Sequence, residues 1–296
     1  MRYQLAFFCL TLMFFACNNS KQTSENTSSV KVVVDESFAP IIEDQYIVFE
    51  STYPNNLDLI YKPEVQLLNL LISNSVQLVI MSRKLLPNEE QIFKKKGLVV
   101  RSTHLATDAI ALITHRSETD TTITVDEIIS TMKGSANGRS LVFDNPNSST
   151  VRYLKELAGI QALPKQGIYA LKNSTDVIKW VHNNPGSIGV IGYNWMKQPP
   201  QDLETIVKDL RLMSVKQTGK SGTEDKFYKP NQNNLALGLY PLSRELFFID
   251  CQGGTGTSSF AAFIAGERGQ RIMLKSGLLP DSIPPREIII RKELTK

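Results

Sequence analysis

Short apolar strand patterns alternate with amphipathic helix patterns along this chain, and this alternation constrains the fold more than any other feature. The segment Lys31–Val34 contains three consecutive valines and predicts a strand. A helix pattern follows, in which the apolar residues that share one face are Ile42, Tyr46, Phe49 and Tyr53. Repetition of a strand followed by a helix is typical of a parallel sheet with helices on both faces.

The alternation of strand and helix patterns continues to the end of the chain. We predict further strands at residues 57–61, 76–81, 109–114, 141–143 and 188–191, and helices at 64–73, 125–132, 149–158, 175–182 and 259–275. The residues expected to face inward from helix 64–73 are Val65, Leu68, Leu71 and Ile72. Pro54 is expected to end the first helix, and Asn88 to cap a helix that stops at Gly97. The 267 residues from Val30 onward (296 minus 29) favour two domains.

An apolar run near the N-terminus predicts the cellular location of the protein. Arg2 precedes a run from Leu5 to Ala16 that is too short to span a bilayer, so residues 1–16 are expected to be a signal peptide. Cys17 follows a small residue and resembles the acylated cysteine of bacterial lipoproteins; a core strand that contains a cysteine is the alternative. Residues 17–29 are expected to form a lipidated tether, because 18–29 carry no aliphatic or aromatic side chain. The expected location is the periplasmic side of the bacterial cell envelope, anchored to a membrane.

Composition argues against several classes of protein. Only Cys251 lies in the predicted folded part, so no disulfide is expected. Removal of residues 1–16 lowers the formal charge from +4 to +3, because Arg2 is lost, and this excess is too small to indicate nucleic-acid binding. The spacing of His104, His115 and His182 does not predict a metal site, and no serine lies in a Gly-x-Ser-x-Gly elbow. We therefore predict no catalytic residues, metal or cofactor.

Several sequence blocks occur in an order found in one protein family. The most specific is Tyr-Pro-Leu-Ser-Arg-Glu-Leu-Phe-Phe-Ile at 240–249. The other blocks are Ser-Arg-Lys-Leu at 82–85, Ala106–Ile113, Ile188–Tyr193, Phe260–Phe263, Gly269–Ile272 and Gly277–Pro280. In this order they resemble the substrate-binding proteins of phosphate ABC transporters, and the resemblance covers nearly all of Val30–Ile290.

The resemblance implies a two-lobed type II periplasmic-binding fold, in which two Rossmann-like α/β lobes are joined by a two-strand hinge. Its crossings would lie near Ala106–Ile110 and Tyr240–Glu245. Residues 30–107 and 243–296 would then form lobe one, and residues 108–242 lobe two. The implied protein is a non-enzymatic, monomeric receptor that binds inorganic phosphate between the lobes and delivers it to an ABC permease.

The residues expected to bind the anion come from both lobes. Ser148, Ser149 and Thr150 begin a helix, where free N–H groups and hydroxyls suit a tetrahedral anion. They match the Ser-Gly-Thr block that binds phosphate in the family, although ordinary helix capping is the alternative. Ser82 and Arg83 follow a buried strand and are expected to face the cleft; a solvated basic turn is the alternative. Ser37 and Phe38 follow the first strand and could supply a hydroxyl and an N–H.

The predicted site departs from the family pattern by its acidic residues. The sequence has Asp35 and Glu36 where the family has a Gly-Ser-Thr type loop, Glu64 in the second loop, and Asp144 where phosphate binders often place arginine. One carboxylate could accept the proton of hydrogen phosphate and so exclude sulfate, whereas four would repel an anion unless they are protonated or paired. An envelope sensor or adaptor that binds another small ligand is therefore the rival hypothesis. A hydrolytic function has only the abundance of Ser and Asp in its favour.

Two further features are interpreted as structural. Gly253–Ser258 resembles a phosphate-cradling loop, but it lacks the Gly-Lys-Ser/Thr ending of a nucleotide site and is expected to lead into a helix capped by Ser258 or Ser259. Trp180 and Trp195 are expected to pack within lobe two.

Overall fold

The computed structural model describes residues 30–53, 57–135, 139–218, 226–251 and 258–282, and it confirms the predicted α/β architecture. The predicted signal peptide and tether, Pro54 and the glycine-rich stretch at 252–257 lie outside these residues. Among the helices that the structure describes, none combines the length and the apolar character that a membrane crossing requires.

Twelve strands are found within the described ranges. They are β1 Val30–Asp35, β2 Leu57–Lys62, β3 Leu78–Met81, β4 Arg101–His115, β5 Thr122–Thr124, β6 Ser140–Phe143, β7 Ile168–Ala170, β8 Ser187–Gly192, β9 Leu210–Leu212, β10 Ser214–Lys216, β11 Ser243–Asp250 and β12 Leu279–Pro280.

Eleven α-helices accompany these strands in the same ranges. They are α1 Ala39–Thr52, α2 Glu64–Ile72, α3 Pro87–Lys95, α4 Val125–Met132, α5 Ser149–Ala158, α6 Ser174–Asn183, α7 Asn194–Lys197, α8 Glu204–Val207, α9 Gln232–Ala236, α10 Ser258–Ala265 and α11 Glu267–Lys275. Short 3-10 turns occupy Glu36–Phe38 and Gln201–Leu203.

The main sheet runs through both lobes. Its order is β2-β1-β3-β11-β4-β8-β6-β7, and β9 and β12 also pair with β4. In lobe one β1 lies parallel to β2 and β3, and in lobe two β6 lies parallel to β7 and β8. Parallel pairing places the C-terminal ends of these strands, and the helices that follow them, at one edge of each half-sheet.

Strand β4 joins the two halves. Its first part pairs with β11 up to the Ala109–Ser243 position, and its second part pairs with β8 from the Ile110–Gly192 position onward. The second crossing runs beside it, where the Tyr240 hydroxyl donates to the carbonyl oxygen of Ile110 at 2.7 Å. At the place where the sequence predicts the hinge, the structure thus has the continuous strand β4 and the beginning of β11, which starts at Ser243, while residues 240–242 lie outside any strand. The residue boundaries of the lobes stay a prediction.

Alternation along the strands divides the core of lobe one between the two faces of its sheet. Val32 and Val34 pack with Phe38 and Phe260, whereas Val33 packs with Leu67 on the opposite face. This arrangement follows from the two-residue period of a strand, since a continuous valine run must be covered on both sides. Cys251 is fully buried and free.

Three local predictions are wrong. Val65 is predicted to face inward but is 46% exposed, because Leu67 takes its place beside Leu71 in the buried stripe of α2; the inward position predicted for Leu71 is confirmed. The cap of α3 is Leu86 rather than Asn88, since Pro87 occupies the first helical position and Glu89 accepts a bond from the Leu86 N–H at 2.7 Å.

The predicted helix at 259–275 is two helices rather than one. Gly266 separates α10 from α11, and its N–H donates to the carbonyl oxygen of Ala262 at 2.8 Å. Because its backbone is extended, the chain turns there, and a side chain at this position would approach the Ala262 carbonyl oxygen to 2.9 Å.

Candidate ligand site between the lobes

The turn after β1 carries Ser37 and Phe38 into the contact between the lobes. Both side chains are buried, and the Ser37 hydroxyl donates to Asp35 Oδ1 at 2.9 Å. The carbonyl oxygen of Ser37 accepts bonds from Asn194 Nδ2 and Trp195 Nε1 of lobe two, each at 3.0 Å. These bonds hold the turn in one position against the opposite lobe.

The N-terminus of α5 points into the same contact. Ser148 is the helix cap, because its hydroxyl accepts from the Val151 N–H at 3.2 Å while donating to Asp144 Oδ1 at 2.6 Å. Ser149 and Thr150 are completely buried, and the Thr150 hydroxyl has no hydrogen-bond partner among the described residues. The capping interpretation therefore holds for Ser148 and does not explain the two residues that follow it.

A residue that sequence reasoning did not choose, Arg244 of β11, connects these two groups. Its guanidinium donates to the Ser149 hydroxyl at 2.8 Å and to the Ser37 hydroxyl at 3.1 Å. The two hydroxyl oxygens lie 3.3 Å apart, although their residues belong to different lobes. Arg244 also lies over the Phe38 ring, with 4.5 Å from its Cζ atom to the ring centroid.

Asp108 of β4 forms a buried ion pair with Arg244. Its Oδ2 atom accepts from Arg244 Nε at 3.0 Å, and the two side chains are 0% and 2% exposed. A buried guanidinium needs such a counter-charge, because an unpaired one would lose its hydration without compensation. Both residues lie in sequence blocks that carry the family resemblance, and this was the signal that could have identified them.

Ser82 and Arg83 lie in a neighbouring group centred on Glu64. Glu64 is 2% exposed and accepts from Arg83 Nε at 3.3 Å and from Arg152 Nε at 2.6 Å. Arg83 also makes two bonds to Glu89, at 2.7 and 2.8 Å. Ser82 accepts from Arg152 at 3.0 Å. Within the described residues, no hydrogen bond joins Arg83 to the group formed by Ser37, Ser149 and Arg244.

Several bonds fasten the lobes to each other beside these hydroxyls. Arg152 of α5 reaches Glu64 and Ser82 of lobe one, and the Val65 N–H donates to the Asn147 carbonyl oxygen at 3.2 Å. On the other side, Glu36 accepts from the N–H and the hydroxyl of Ser174, both at 3.1 Å, at the N-terminus of α6. The lobes are therefore in direct contact around the candidate site.

The acidic side chains anticipated from sequence do lie here, and burial raises the pKa values of three of them. Burial raises the pKa of Asp144 to about 6, and the nearby Asp35 charge adds to this effect. Burial, followed by the charge of Asp144, raises the pKa of Glu36 to about 8. Burial also raises the pKa of Asp35, although the Arg244 charge opposes it. Neutral carboxyl groups can face an anion without the repulsion that four carboxylates would cause.

Other residues weighed from sequence behave as structural elements. Trp195 packs in lobe two as predicted, whereas Trp180 is 37% exposed and stacks on Tyr169 with ring centroids 6.2 Å apart. No group of three or more metal-ligating side chains occurs in the described parts of the chain.

A model of the PBP superfamily domain matches residues 19–268, which is most of the sequence. This chain belongs to the PBP superfamily. Among curated proteins, none matches it.

Solved structures support the same fold for this PBP domain. A protein from Clostridium perfringens, assigned as a phosphate ABC transporter substrate-binding protein and solved with bound phosphate, has a TM-score of 0.68 at 21% identity and covers 86% of this chain and 100% of its own. An ABC-type phosphate transport receptor from Vibrio cholerae has a TM-score of 0.63 at 16% identity, with coverages of 86% and 100%. PstS from Borrelia burgdorferi has a TM-score of 0.50 at 21% identity, with coverages of 85% and 98%.

Proposed function

We propose that this PBP protein is a lipid-anchored receptor that closes its lobes on inorganic phosphate and delivers it to an ABC permease. The observation that carries the proposal is the bridge from Arg244 to the hydroxyls of Ser37 and Ser149, which belong to different lobes. An anion placed against these groups would be bound by both lobes at once, so binding would favour the closed form.

The chemistry of this bridge suits a small tetrahedral anion. Ser149 and Thr150 occupy the first turn of α5, where N–H groups lack partners within the helix and the helix dipole is positive. The unpartnered Thr150 hydroxyl adds a donor in the same place. Because Asp108 balances the Arg244 charge, the site selects by directed hydrogen bonds more than by net charge.

The proposed contacts are those predicted from sequence, with one addition. They are Ser37, Phe38, Ser82, Arg83, Ser148, Ser149 and Thr150, together with Arg244. Ser82 and Arg83 would contact the anion from the neighbouring group of side chains around Glu64. The other residues would contact it directly at the Arg244 bridge. The solved relatives that are phosphate receptors support phosphate as the ligand.

Isothermal titration calorimetry of the full chain in detergent tests this proposal. We expect one phosphate to bind per chain. The double variant Ser148→Ala/Thr150→Ala should lose measurable binding, because it removes the α5 cap and a buried donor. Ser117→Ala/Thr121→Ala, which changes the same residue types away from the cleft, should bind like the unchanged protein. Tight binding by the Ser148/Thr150 variant would refute the assignment of α5.

The delivery and anchoring parts of the proposal need separate tests. Incorporation of labelled fatty acid that disappears in Cys17→Ser would support the anchor, and phosphate-dependent stimulation of a permease ATPase would support delivery. A sensor or adaptor is distinguished by a thermal-shift panel of phosphate, sulfate, phosphonates, amino acids and polyamines. A shift with polyamines alone would favour that rival, and phosphatase activity would contradict a receptor without catalysis.

A further inference from the structure

One end of lobe one combines exposed cationic side chains with exposed aliphatic ones. The segment Lys94–Arg101 reads Lys-Lys-Lys-Gly-Leu-Val-Val-Arg and joins the C-terminus of α3 to β4. Its four cationic residues are exposed, and Val99 is 60% exposed between two half-buried aliphatic neighbours. Among the described residues no carboxylate pairs with its three lysines, although Lys96 donates to the carbonyl oxygen of Ile72 at 3.2 Å. The segment therefore presents positive charge beside apolar surface.

Neither the nearby acids nor the helix dipole accounts for this segment. The two acids of α3 lie in its first turn, at the other end of the helix. Asp250, which is opposite Arg101 in the pairing of β11 with β4, is only 9% exposed. The dipole at the C-terminus of α3 explains the two lysines of its last turn. It does not explain the exposed aliphatic side chains that follow them.

The chain enters lobe one at the same end of the half-sheet. The strand register runs from Val32 of β1 through Leu78 and Asp250 to Arg101 of β4. Arg101 is thus three strands away from β1 at the same level, a distance of about 14 Å at the usual strand spacing. Lys31, the second residue of β1, is exposed as well. The beginning of β1 and the segment that precedes β4 therefore share one face of lobe one.

The proposed lipid anchor would hold this face close to the membrane. Cys17 and Val30 are 13 positions apart (30 minus 17), and a fully extended chain of that length reaches at most about 47 Å. The candidate site follows the opposite end of β1, a strand of six residues, and so lies about 20 Å further from the anchor. Of the two ends of this half-sheet, the anchor therefore favours contact of the bilayer with the one that carries Lys31.

We propose that this face, formed by Lys31, Lys94–Lys96, Val99 and Arg101, docks on the anionic lipid head groups of the membrane that holds the anchor. The inference rests on the lipid anchor of the proposed function. The cations attract a negative lipid surface, and the aliphatic side chains between them enter the interface. Because salt screens this attraction beyond about 8 Å at physiological ionic strength, the anchor must first bring the face near the bilayer.

The docked orientation has a consequence for the ligand. The candidate site lies at the opposite edge of the half-sheet, so the cleft stays open to solutes while lobe one rests on the lipid. Delivery to a permease then requires the face to leave the membrane, and a salt-screened contact allows that release.

Fluorescence of the full lipidated chain in vesicles tests this inference. An environment-sensitive label at Val99→Cys reports on the docking face, and Cys251 is buried and does not take the label. The same label at Tyr169→Cys is the control, because β7 is the last strand in the order of the main sheet, on lobe two. On vesicles of phosphatidylcholine with phosphatidylglycerol, we expect the emission at position 99 to shift to the blue, with no shift at position 169. Phosphatidylcholine alone, or high salt, should abolish the shift.

Charge variants assign the shift to the lysines of the face. Lys94→Gln/Lys95→Gln/Lys96→Gln should lose the shift of the label at position 99. The control variant replaces three exposed lysines of lobe two by glutamine and should keep it; these are Lys165, Lys172 and Lys208. Both variants should keep the phosphate Kd of the unchanged protein, because neither changes a proposed phosphate contact.

The outcomes separate this inference from the proposed function. No shift on anionic vesicles, or a shift that survives in the variant of residues 94–96, would overturn the inference and leave the proposed function intact. An equal shift on neutral vesicles, which contact between copies of the chain would produce, would overturn it as well. Failure of the unchanged chain to sediment with any vesicle would overturn the anchor and the inference together.

Discussion

Removal of the Arg244 charge should destabilise this protein more than removal of any exposed arginine. In Arg244→Met the buried Asp108 carboxylate loses the donor that lies 3.0 Å away, and the hydroxyls of Ser37 and Ser149 lose theirs. Breaking one side of a buried ion pair costs about 3–5 kcal/mol. For a chain of this size that loss lowers Tm by roughly 6–20 °C.

The pH dependence of this loss follows from Asp108. Burial, opposed by the Arg244 charge, raises the pKa of Asp108 to about 6 in the intact protein, and loss of the guanidinium must raise it further. A carboxyl group with a raised pKa contributes stability below its unfolded pKa, and that contribution disappears as pH rises through the folded pKa. Arg244→Met should therefore be least destabilised near pH 5 and most destabilised near pH 8.

Urea unfolding followed by tryptophan fluorescence measures both effects on the full chain in detergent. Arg271→Met is the matched control, because Arg271 and its partner Glu267 are 49% and 56% exposed and such a pair contributes about 0–1 kcal/mol. The double variant Arg244→Met/Asp108→Asn removes the stranded charge and should recover part of the loss. Equal losses in Arg244→Met and Arg271→Met, or a double variant less stable than Arg244→Met, would refute the reasoning.

Two further predictions concern the contact between the lobes. Arg152→Gln removes the cross-lobe bond to Glu64, so small-angle scattering without ligand should show a larger radius of gyration than in the unchanged protein. Lys155→Gln, on the same helix, is the control and should leave the radius unchanged. Equal radii in all three proteins would contradict the idea that the Arg152–Glu64 bond holds the lobes together. Burial raises the pKa values of Glu36 to about 8 and of Asp144 to about 6, so the free energy of unfolding should fall as pH rises from 5 to 9. Glu36→Gln should make that fall smaller. A urea midpoint that increases with pH would contradict the raised pKa values.

Local structure was largely predictable because its causes are local. The strand and helix periods placed α4 at Val125–Met132 and α5 at Ser149–Ala158, and Gly159 ends α5 with a φ of 65°, a conformation that favours glycine. Predictions were wrong where the same local sequence pattern fitted two different buried faces of a helix. Val65 matched an apolar stripe as well as Leu67 did, and only packing against β1 and β3 decided which stripe was buried.

The residues of the candidate site also fall into those that the sequence predicted correctly and those whose contacts it could not give. Helix-start chemistry pointed to Ser148, Ser149 and Thr150, because capping groups and anion-binding groups are the same atoms. Arg83 was also chosen from its position after a strand, yet the structure directs it to Glu89 and Glu64. A pattern of residue types gives the end of a strand, but it does not give the partner that a long flexible side chain finds there.

The sequence alone determined the order of strands and helices, the solitary cysteine of the folded part, and the family to which the ordered blocks point, because each of these is recorded over a few neighbouring residues. The tertiary structure alone decided that Arg244 meets Asp108 across 136 positions and joins Ser37 to Ser149 across the lobes. It also decided that the acids beside them are buried, which raises their pKa values. The physical reason is that charge pairing and desolvation depend on distances in space, and these exist only after the two lobes have folded against each other.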